Sequence, residues 1–440
     1  MHTKRLVTAL ALAIATLSIA PARALLILTP MGTVKTGVLR GEDPRIAEII
    51  FTEDGRFVLT ADEGEPNAAY TIDPPGTVSI IDVTQLGTPG TARKVGFERF
   101  NADGQRSKLE REGVRIFGPG ASVAQDLEPE YIAVRGNKAY VTLQENNALA
   151  IISIDDATVE KIVGLGLKDY SSESALDPSD QDGGIHIQNW PVYGLYQPDA
   201  IHAIPLNGRP YFIMANEGDA REYAGYVEAL RVNSTAYVLD SFAFPNATAL
   251  KANTALGRLN VSTASGDLDG DGKFDRIETF GARSISIRDQ QGRLVWDSND
   301  LLELLSAQLD NTLTVFNTTN TANSRDNRSD DKGIEPESVV VGDVGGRLYA
   351  FVGLERDGGI VVFDVSEPTA PTFVTYATNR KLPRNATGGF LACTDAPAND
   401  CGDLGPEGLT FVPADRSPTG KALLIVSNEV SSTTTIWQVE

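Results

Sequence analysis

The chain has 440 residues, of which 59 are acidic and 38 are basic, giving a formal net charge of −21. A surface this acidic repels nucleic acid and anionic membranes and attracts cations, so no nucleic-acid partner is expected. The hydrophobic content of 41% is too high for a disordered acidic chain. We therefore expect a folded domain.

The N-terminal segment has the pattern of a signal peptide. Lys4 and Arg5 precede an apolar run from Leu6 to Ala20, and small residues follow at Ala22 and Ala24. We predict a signal peptide over residues 1–24 and one mature domain over residues 25–440, secreted or periplasmic. An N-terminal anchor is the alternative. No later run reaches the ~20 apolar residues of a membrane helix, so no membrane span is predicted.

Pairs of short apolar runs, separated by a glycine-containing turn, recur along the chain, which is typical of β-hairpins. Three examples are residues 49–51 with 57–60, 131–134 with 139–143, and 338–341 with 348–352. A third strand follows in several units, as at residues 77–82, 149–154 and 360–364. Such units without intervening helices are typical of propeller blades. The sequence predicts an all-β fold, a β-propeller of seven blades, with an insertion around residues 255–333.

Acidic residues occupy the same two places in many of these units. One follows a proline just before the first strand, and another follows the second strand. The nine are Glu130, Asp199, Glu337 and Glu407, and then Glu63, Glu145, Glu217, Glu355 and Glu429. The start of the first strand and the end of the second lie at one rim, so we predict an acidic face at the channel mouth. Calcium would relieve the repulsion between these carboxylates, because it takes about six to eight oxygen ligands. The alternative is that they are turn formers and solvated loop charges.

One segment matches the calcium-loop pattern D-x-D-x-D-G-x₅-E throughout. Its predicted ligands are the side chains of Asp267, Asp269, Asp271, Asp275 and Glu278 and the carbonyl of Lys273. The flanking residues do not favour helices, so we predict a calcium loop set in β structure. Its expected role is structural, because exported proteins meet abundant calcium, and a calcium switch is the alternative.

Cysteine usage agrees with export. Cys393 and Cys401 are the only cysteines and lie in one short loop rich in Asp, Pro and Gly. A disulfide between them is expected in an oxidising compartment, with two free thiols as the alternative.

Four segments resemble the choice-of-anchor I domain family. They are residues 126–134, 141–148, 194–200 and 215–223, which include the motifs DLEPEYIAV and ANEGDAREY. That family includes mesenchyme-specific cell-surface glycoproteins and bacterial proteins labelled alkaline-phosphatase-like. The resemblance covers nearly all of the mature chain and implies a seven-bladed propeller in an extracellular setting.

Two functional hypotheses follow. The first is a calcium-dependent phosphoesterase acting on a phosphate ester, with Glu217, Asp219 and Arg221 as candidate catalytic residues and Arg356 as a second candidate cation. The second is a non-enzymatic calcium-binding module that holds a surface ligand at the acidic face. No activated nucleophile or proton donor is identifiable, which favours binding over catalysis.

Overall fold

A computed structural model describes residues 46–85, 92–206 and 208–440. The predicted signal peptide, residues 1–24, lies outside the described residues. The fold is mostly β and contains several small antiparallel sheets.

The first two sheets each contain four strands in chain order. The first sheet is β1 (Ile46–Phe51), β2 (Phe57–Asp62), β3 (Thr77–Asp82) and β4 (Ala92–Gly96). The short helices α1 (Gln105–Arg111) and α2 (Val123–Asp126) connect it to β5 (Ile132–Arg135), β6 (Lys138–Leu143), β7 (Ala148–Ser153) and β8 (Thr158–Gly164). Gly55 and Gly136 adopt positive φ in the first hairpin turn of each sheet, where side chains are disfavoured.

The third sheet of this type is interrupted by a long excursion. Its four strands are β11 (Ile201–Ile204), β12 (Tyr211–Asn216), β18 (Ser284–Asp289) and β19 (Leu294–Asp297). Residues 217–283 leave the sheet after β12 and return at β18. They include the short helix α3 (Ala247–Leu250) and the strands β13 (Glu222–Tyr223), β14 (Tyr226–Val227), β15 (Ala229–Arg231), β16 (Asn260–Ser262) and β17 (Ile277–Thr279).

The excursion builds a side sheet together with an earlier part of the chain. β9 (Leu167–Asp169) and β10 (Val192–Leu195) join β15, β16 and β17 in the order β15-β16-β17-β10-β9. β10 and β17 pair in parallel, with Tyr193 opposite Glu278. The predicted insertion around residues 255–333 overlaps this excursion and the segment that follows β19.

Two further sheets complete the described chain, after α4 (Leu301–Leu309). The fourth contains β20 (Pro336–Val344), β21 (Arg347–Leu354), β22 (Gly359–Asp364) and β23 (Thr372–Thr378), and the last contains β24 (Pro406–Val412), β25 (Ala422–Asn428) and β26 (Thr433–Val439). Five sheets therefore have the blade pattern among the described residues. The prediction of seven blades stays a prediction.

The first strands of these five sheets surround a common space. β1, β5, β11, β20 and β24 all contribute to the wall of one cavity of about 510 Å³. Apolar side chains between neighbouring sheets form the core, with one cluster between the first two sheets and another between the third and fourth. This arrangement brings the starts of five strands, far apart in sequence, to one region of the molecule.

Cys393 and Cys401 form a disulfide, and both residues are buried. Among the described residues, no helix has the length and apolar character needed to cross a membrane.

Candidate calcium and ligand site

Hairpin register places the predicted acids at one rim. Pro336 pairs with Leu354 and Pro406 pairs with Asn428, and both first strands contain a register shift at the next residue. Glu337 and Glu355 therefore flank the same end of one hairpin. Because the first two strands of each sheet are antiparallel, the start of the first strand and the end of the second lie at the same end of the hairpin in the other sheets too.

Most of the predicted acids line a second cavity, of about 350 Å³, which we call the acidic cavity. Seven of the nine lie in its wall: Glu63, Glu130, Glu145, Asp199, Glu217, Glu337 and Glu407. Glu355 lies beside it, with a carboxylate oxygen within 4.8 Å of those of Glu217 and Glu335. Glu429 lies close enough to Glu407 to raise the pKa of that carboxyl group. The structure thus brings the nine residues together, from five separate sheets.

Three buried or half-buried cations lie behind one wall of the acidic cavity. They surround Glu335, which is fully buried. Arg356 Nη2 lies 2.8 Å and Lys332 Nζ lies 3.4 Å from Glu335 Oε2, and Arg328 Nε donates to Oε1 at 3.0 Å. Burial alone would raise the pKa of Glu335, but these cations outweigh it and hold that pKa well below its usual range. Lys332 also contacts Glu217.

Among the described residues, no Lys or Arg forms a salt bridge with Glu130 or Glu145, although the charge of Arg221 opposes the rise that burial causes in the pKa of Glu145. Glu130 and Glu145 are 8% and 7% exposed, and Oε2 of each is buried without a hydrogen-bond partner. Burial first, and then the charges of Glu145 and Asp199, raises the pKa of Glu130. Burial and the Glu217 charge likewise raise the pKa of Asp199. Without an added cation, these groups favour their protonated forms.

The tightest carboxylate group in this region is already occupied. Glu217, Glu335 and Glu355 approach one another within 4.8 Å, yet they contact Lys332 and Arg356. The other acids of the cavity form no group of three this tight in the part of the chain that the structure describes. A cation bound among them would therefore be larger than a bare metal ion or would keep water ligands, as calcium commonly does.

The predicted catalytic residues have different surroundings. Glu217 and Asp219 lie in the cavity wall, and burial raises the pKa of Asp219 to about 6 against the opposing charge of Lys332. Arg221 is fully buried, with Nη1 2.6 Å from Asp126 Oδ1 and Nη2 2.7 Å from Glu128 Oε1. Arg221 does not line the acidic cavity, and its contacts with two buried carboxylates favour a structural role; its catalytic role stays a prediction.

Sequence reasoning did not single out the partners of these cations. Asp126 and Glu128, which hold Arg221, belong to the segment that carries the family resemblance, and Glu335 precedes one of the proline-acid pairs. Glu128 stands two residues before Glu130, and Glu335 stands two residues before Glu337. This repeated spacing is the sequence pattern that could have identified both residues.

The calcium-motif loop lies between β16 and β17. Carboxylate oxygens of Asp267, Asp269 and Asp275 come within 4.8 Å of one another. Asp267 accepts hydrogen bonds from the amides of Gly270 and Gly272 at 2.8 and 2.9 Å, which shapes the turn. Three converging carboxylates of this kind fit a hard divalent cation such as calcium.

Two predicted ligands of the loop are engaged elsewhere. Asp271 Oδ2 accepts from Lys273 Nζ at 2.5 Å. Glu278 lies on β17 and is buried, with Oε1 bound to Arg276 and Oε2 accepting from Ser265 at 2.5 Å. Glu278 is therefore outside the three-aspartate group, because the strand that carries it pairs with β10 rather than continuing around the loop.

The match to known families decides the classification. A family model described as the choice-of-anchor I domain matches residues 28–368. The chain belongs to the choice-of-anchor I domain family. The matched range contains the rims of four of the five blade-type sheets and the calcium-motif loop.

Two curated relatives of this choice-of-anchor I domain come from marine animals. Gigasin-3a of Magallana gigas is 30% identical over 201 residues, which are 43% of this chain and 66% of the relative. The mesenchyme-specific cell surface glycoprotein of Strongylocentrotus purpuratus is 28% identical over 318 residues, which are 62% of this chain and 40% of the relative. The matches span less than two thirds of both relatives.

Solved structures align only loosely with the choice-of-anchor I domain. A Bacteroides uniformis protein provisionally assigned as a 6-phosphogluconolactonase aligns over 89% of this chain and 80% of its own, with 11% identity and a TM-score of 0.32. A TM-score this low indicates neither a shared fold nor a shared activity.

Proposed function

We propose that this chain is an exported, non-enzymatic β-propeller module that binds calcium in its acidic cavity and a ligand at the same mouth. The support for export is the signal-peptide pattern of residues 1–24 and the cell-surface name of one relative. The support for a propeller is the arrangement of five sheets around a common cavity.

One observation carries the calcium proposal. Glu130 and Glu145 each present a buried carboxylate oxygen without a hydrogen-bond partner, in a cavity whose walls contain five more predicted acids. Burying an unpaired carboxylate costs several kcal/mol, on the order of its desolvation. A bound divalent cation offsets that cost, because its charge stabilises the carboxylates in place of the water that they lose on burial. The ion would be held by Glu130, Glu145, Asp199 and water molecules.

Calcium titration of matched variants tests this proposal. The calcium-motif loop is first disabled with Asp269→Asn, so that only the acidic cavity binds. Adding Glu130→Gln and Glu145→Gln should then weaken calcium binding at least about tenfold, since two ligands lose their charge. The control pair, Glu110→Gln and Glu112→Gln, removes the same charge from exposed positions around α1 and should change nothing. Equal affinity in both pairs would reject the cavity site.

The loop itself should hold a structural calcium ion. At calcium concentrations about 100 times the dissociation constant, binding to the folded state adds about 2.7 kcal/mol of stability. Asp269→Asn should abolish most of the loop's share of the calcium-induced rise in melting temperature, while the exposed Asp103→Asn should retain it. A full calcium effect in Asp269→Asn would show that the loop does not bind the ion.

The phosphoesterase hypothesis receives no specific support. Both cations proposed for it are engaged: Arg221 by Asp126 and Glu128, and Arg356 by Glu335 and Glu355. We therefore expect no turnover of p-nitrophenyl phosphate with calcium present. Turnover that is lost on chelation and in Glu217→Gln would revive the enzyme.

A further inference from the structure

The larger cavity adjoins the acidic cavity. Tyr131 and Glu407 line both, so the two spaces meet at these residues. The larger cavity, of about 510 Å³, follows the first strands of the five blade-type sheets away from the acidic rim. Its wall includes Tyr131 and the first three residues of β5, up to Val134, a span of roughly 10 Å at ~3.3 Å per residue.

The two cavities differ sharply in chemistry. Behind the acidic rim, the larger cavity is lined mainly by aliphatic and small side chains, among them Ile50, Val134, Ala200 and Leu409. Its charged groups are Glu48 and Glu407, and no Lys or Arg lines either cavity within the described residues. The combined space is thus an apolar channel with an entrance lined by carboxyl groups.

We propose that this combined space binds a primary alkylammonium ion, with the ammonium group among the rim carboxylates and the alkyl chain along the apolar channel. Three features support this ligand class. Glu130 and Glu145 each have a buried carboxylate oxygen without a hydrogen-bond partner, to which an ammonium group can donate. The cavity acids other than Glu217 form no close group of three among the described residues, so a cation that binds them through hydrogen bonds fits as well as a hydrated metal ion. The adjoining apolar channel can accommodate an alkyl chain, which a metal ion lacks.

The proposal rests on the proposed function in one respect, because both use the rim carboxylates to bind a cation. It adds the ligand class and the contribution of the channel. Each methylene group that leaves water for an apolar wall strengthens binding roughly fourfold at most. Affinity should therefore rise with chain length until the channel is filled.

A chain-length series tests the inference. The mature chain is titrated calorimetrically with ethylammonium and octylammonium in the presence of a calcium chelator. We expect octylammonium to bind at least about 30-fold more tightly, which is well below the limit for six additional methylene groups. Octanol and octanoate should bind far more weakly than octylammonium, since they lack the positive charge that the rim requires.

A matched pair of tryptophan substitutions locates the chain. Thr410 lines the larger cavity and is exposed within it, so Thr410→Trp should fill the channel and remove the chain-length effect. Thr434 is exposed on β26 outside both cavities, so Thr434→Trp should retain that effect. If Thr410→Trp does not fold, the comparison of ethylammonium and octylammonium on the unmodified chain still tests the inference.

The outcomes separate this inference from the calcium proposal. Equal binding of ethylammonium and octylammonium, or octanoate binding as tightly as octylammonium, would overturn the alkylammonium inference and leave calcium binding intact. Failure of the cavity to bind either calcium or ammonium ions would reject both. Competition between calcium and octylammonium is the expected result, because they share the rim carboxylates.

Discussion

Arg221→Met should lower the free energy of unfolding by about 3 to 5 kcal/mol, because it leaves buried carboxylates without their counter-charge. Asp126 and Glu128 both contact the Arg221 guanidinium, and all three side chains are almost completely inaccessible to solvent. The Asp126 carbonyl accepts a further hydrogen bond from Arg221 at 2.8 Å. Urea denaturation measures the change.

An exposed ion pair provides the control for Arg221. Lys381 contacts Asp400, and their side chains are 57% and 48% exposed. Lys381→Met should therefore change stability little, since water compensates the loss of a surface pair. A stable Arg221→Met protein that lost only ligand binding or turnover would contradict the structural role and return Arg221 to the candidate catalytic residues.

The calcium-free protein should become less stable as the pH rises from about 6.5 to 8.5. Burial raises the pKa of Glu48 and Glu407 to about 7 and that of Glu355 to about 8, from an ordinary value of 4.5. Each group binds its proton more tightly in the folded state than in the unfolded state. Its stabilising contribution is therefore complete below the unfolded pKa and is lost as the pH rises through the folded pKa.

Thermal melts in chelator and in calcium measure this effect. Without calcium, the melting temperature should fall by roughly 2 to 4 °C over that range. Calcium should raise the melting temperature more at the higher pH, where the carboxylates are ionised and able to bind it. Glu355→Gln should reduce the pH dependence, while the exposed Glu112→Gln should preserve it. A melting temperature that rises with pH in chelator would contradict the assignment of buried, protonated carboxyl groups.

Local sequence patterns predicted the hairpins well. The runs at 131–134 and 139–143 became β5 and β6, and those at 338–341 and 348–352 lie within β20 and β21. Apolar runs and a glycine turn are sufficient in these cases, because the pairing strands are adjacent in sequence. The regular hairpin ends also explain why the acids at the rim could be located in advance.

Pairings between distant segments were not predictable in this way. β12 pairs with β18 across the excursion of residues 217–283, and β10 pairs with β17 in parallel. No local pattern specifies such partners, because they depend on how the intervening chain packs. For the same reason the sequence suggested Glu278 as a loop ligand, whereas its strand directs it to Arg276 and Ser265.

The pairing of cations with carboxylates around the acidic cavity could be established only from the structure. The sequence does not indicate which of the many carboxylates Lys332 and Arg356 contact. Both contact Glu335, which was not among the predicted residues. Glu130 and Glu145 keep a buried carboxylate oxygen without a hydrogen-bond partner, and this is the observation on which the calcium proposal rests.

Crystals grown with calcium provide the most direct test, with diffraction data measured at a wavelength where calcium scatters anomalously. We expect an anomalous peak inside the acidic cavity, bounded by Glu130, Glu145 and Asp199, and a second at the loop of Asp267 and Asp269. A peak at the loop with none in the cavity, at calcium concentrations that saturate the protein, would contradict this expectation.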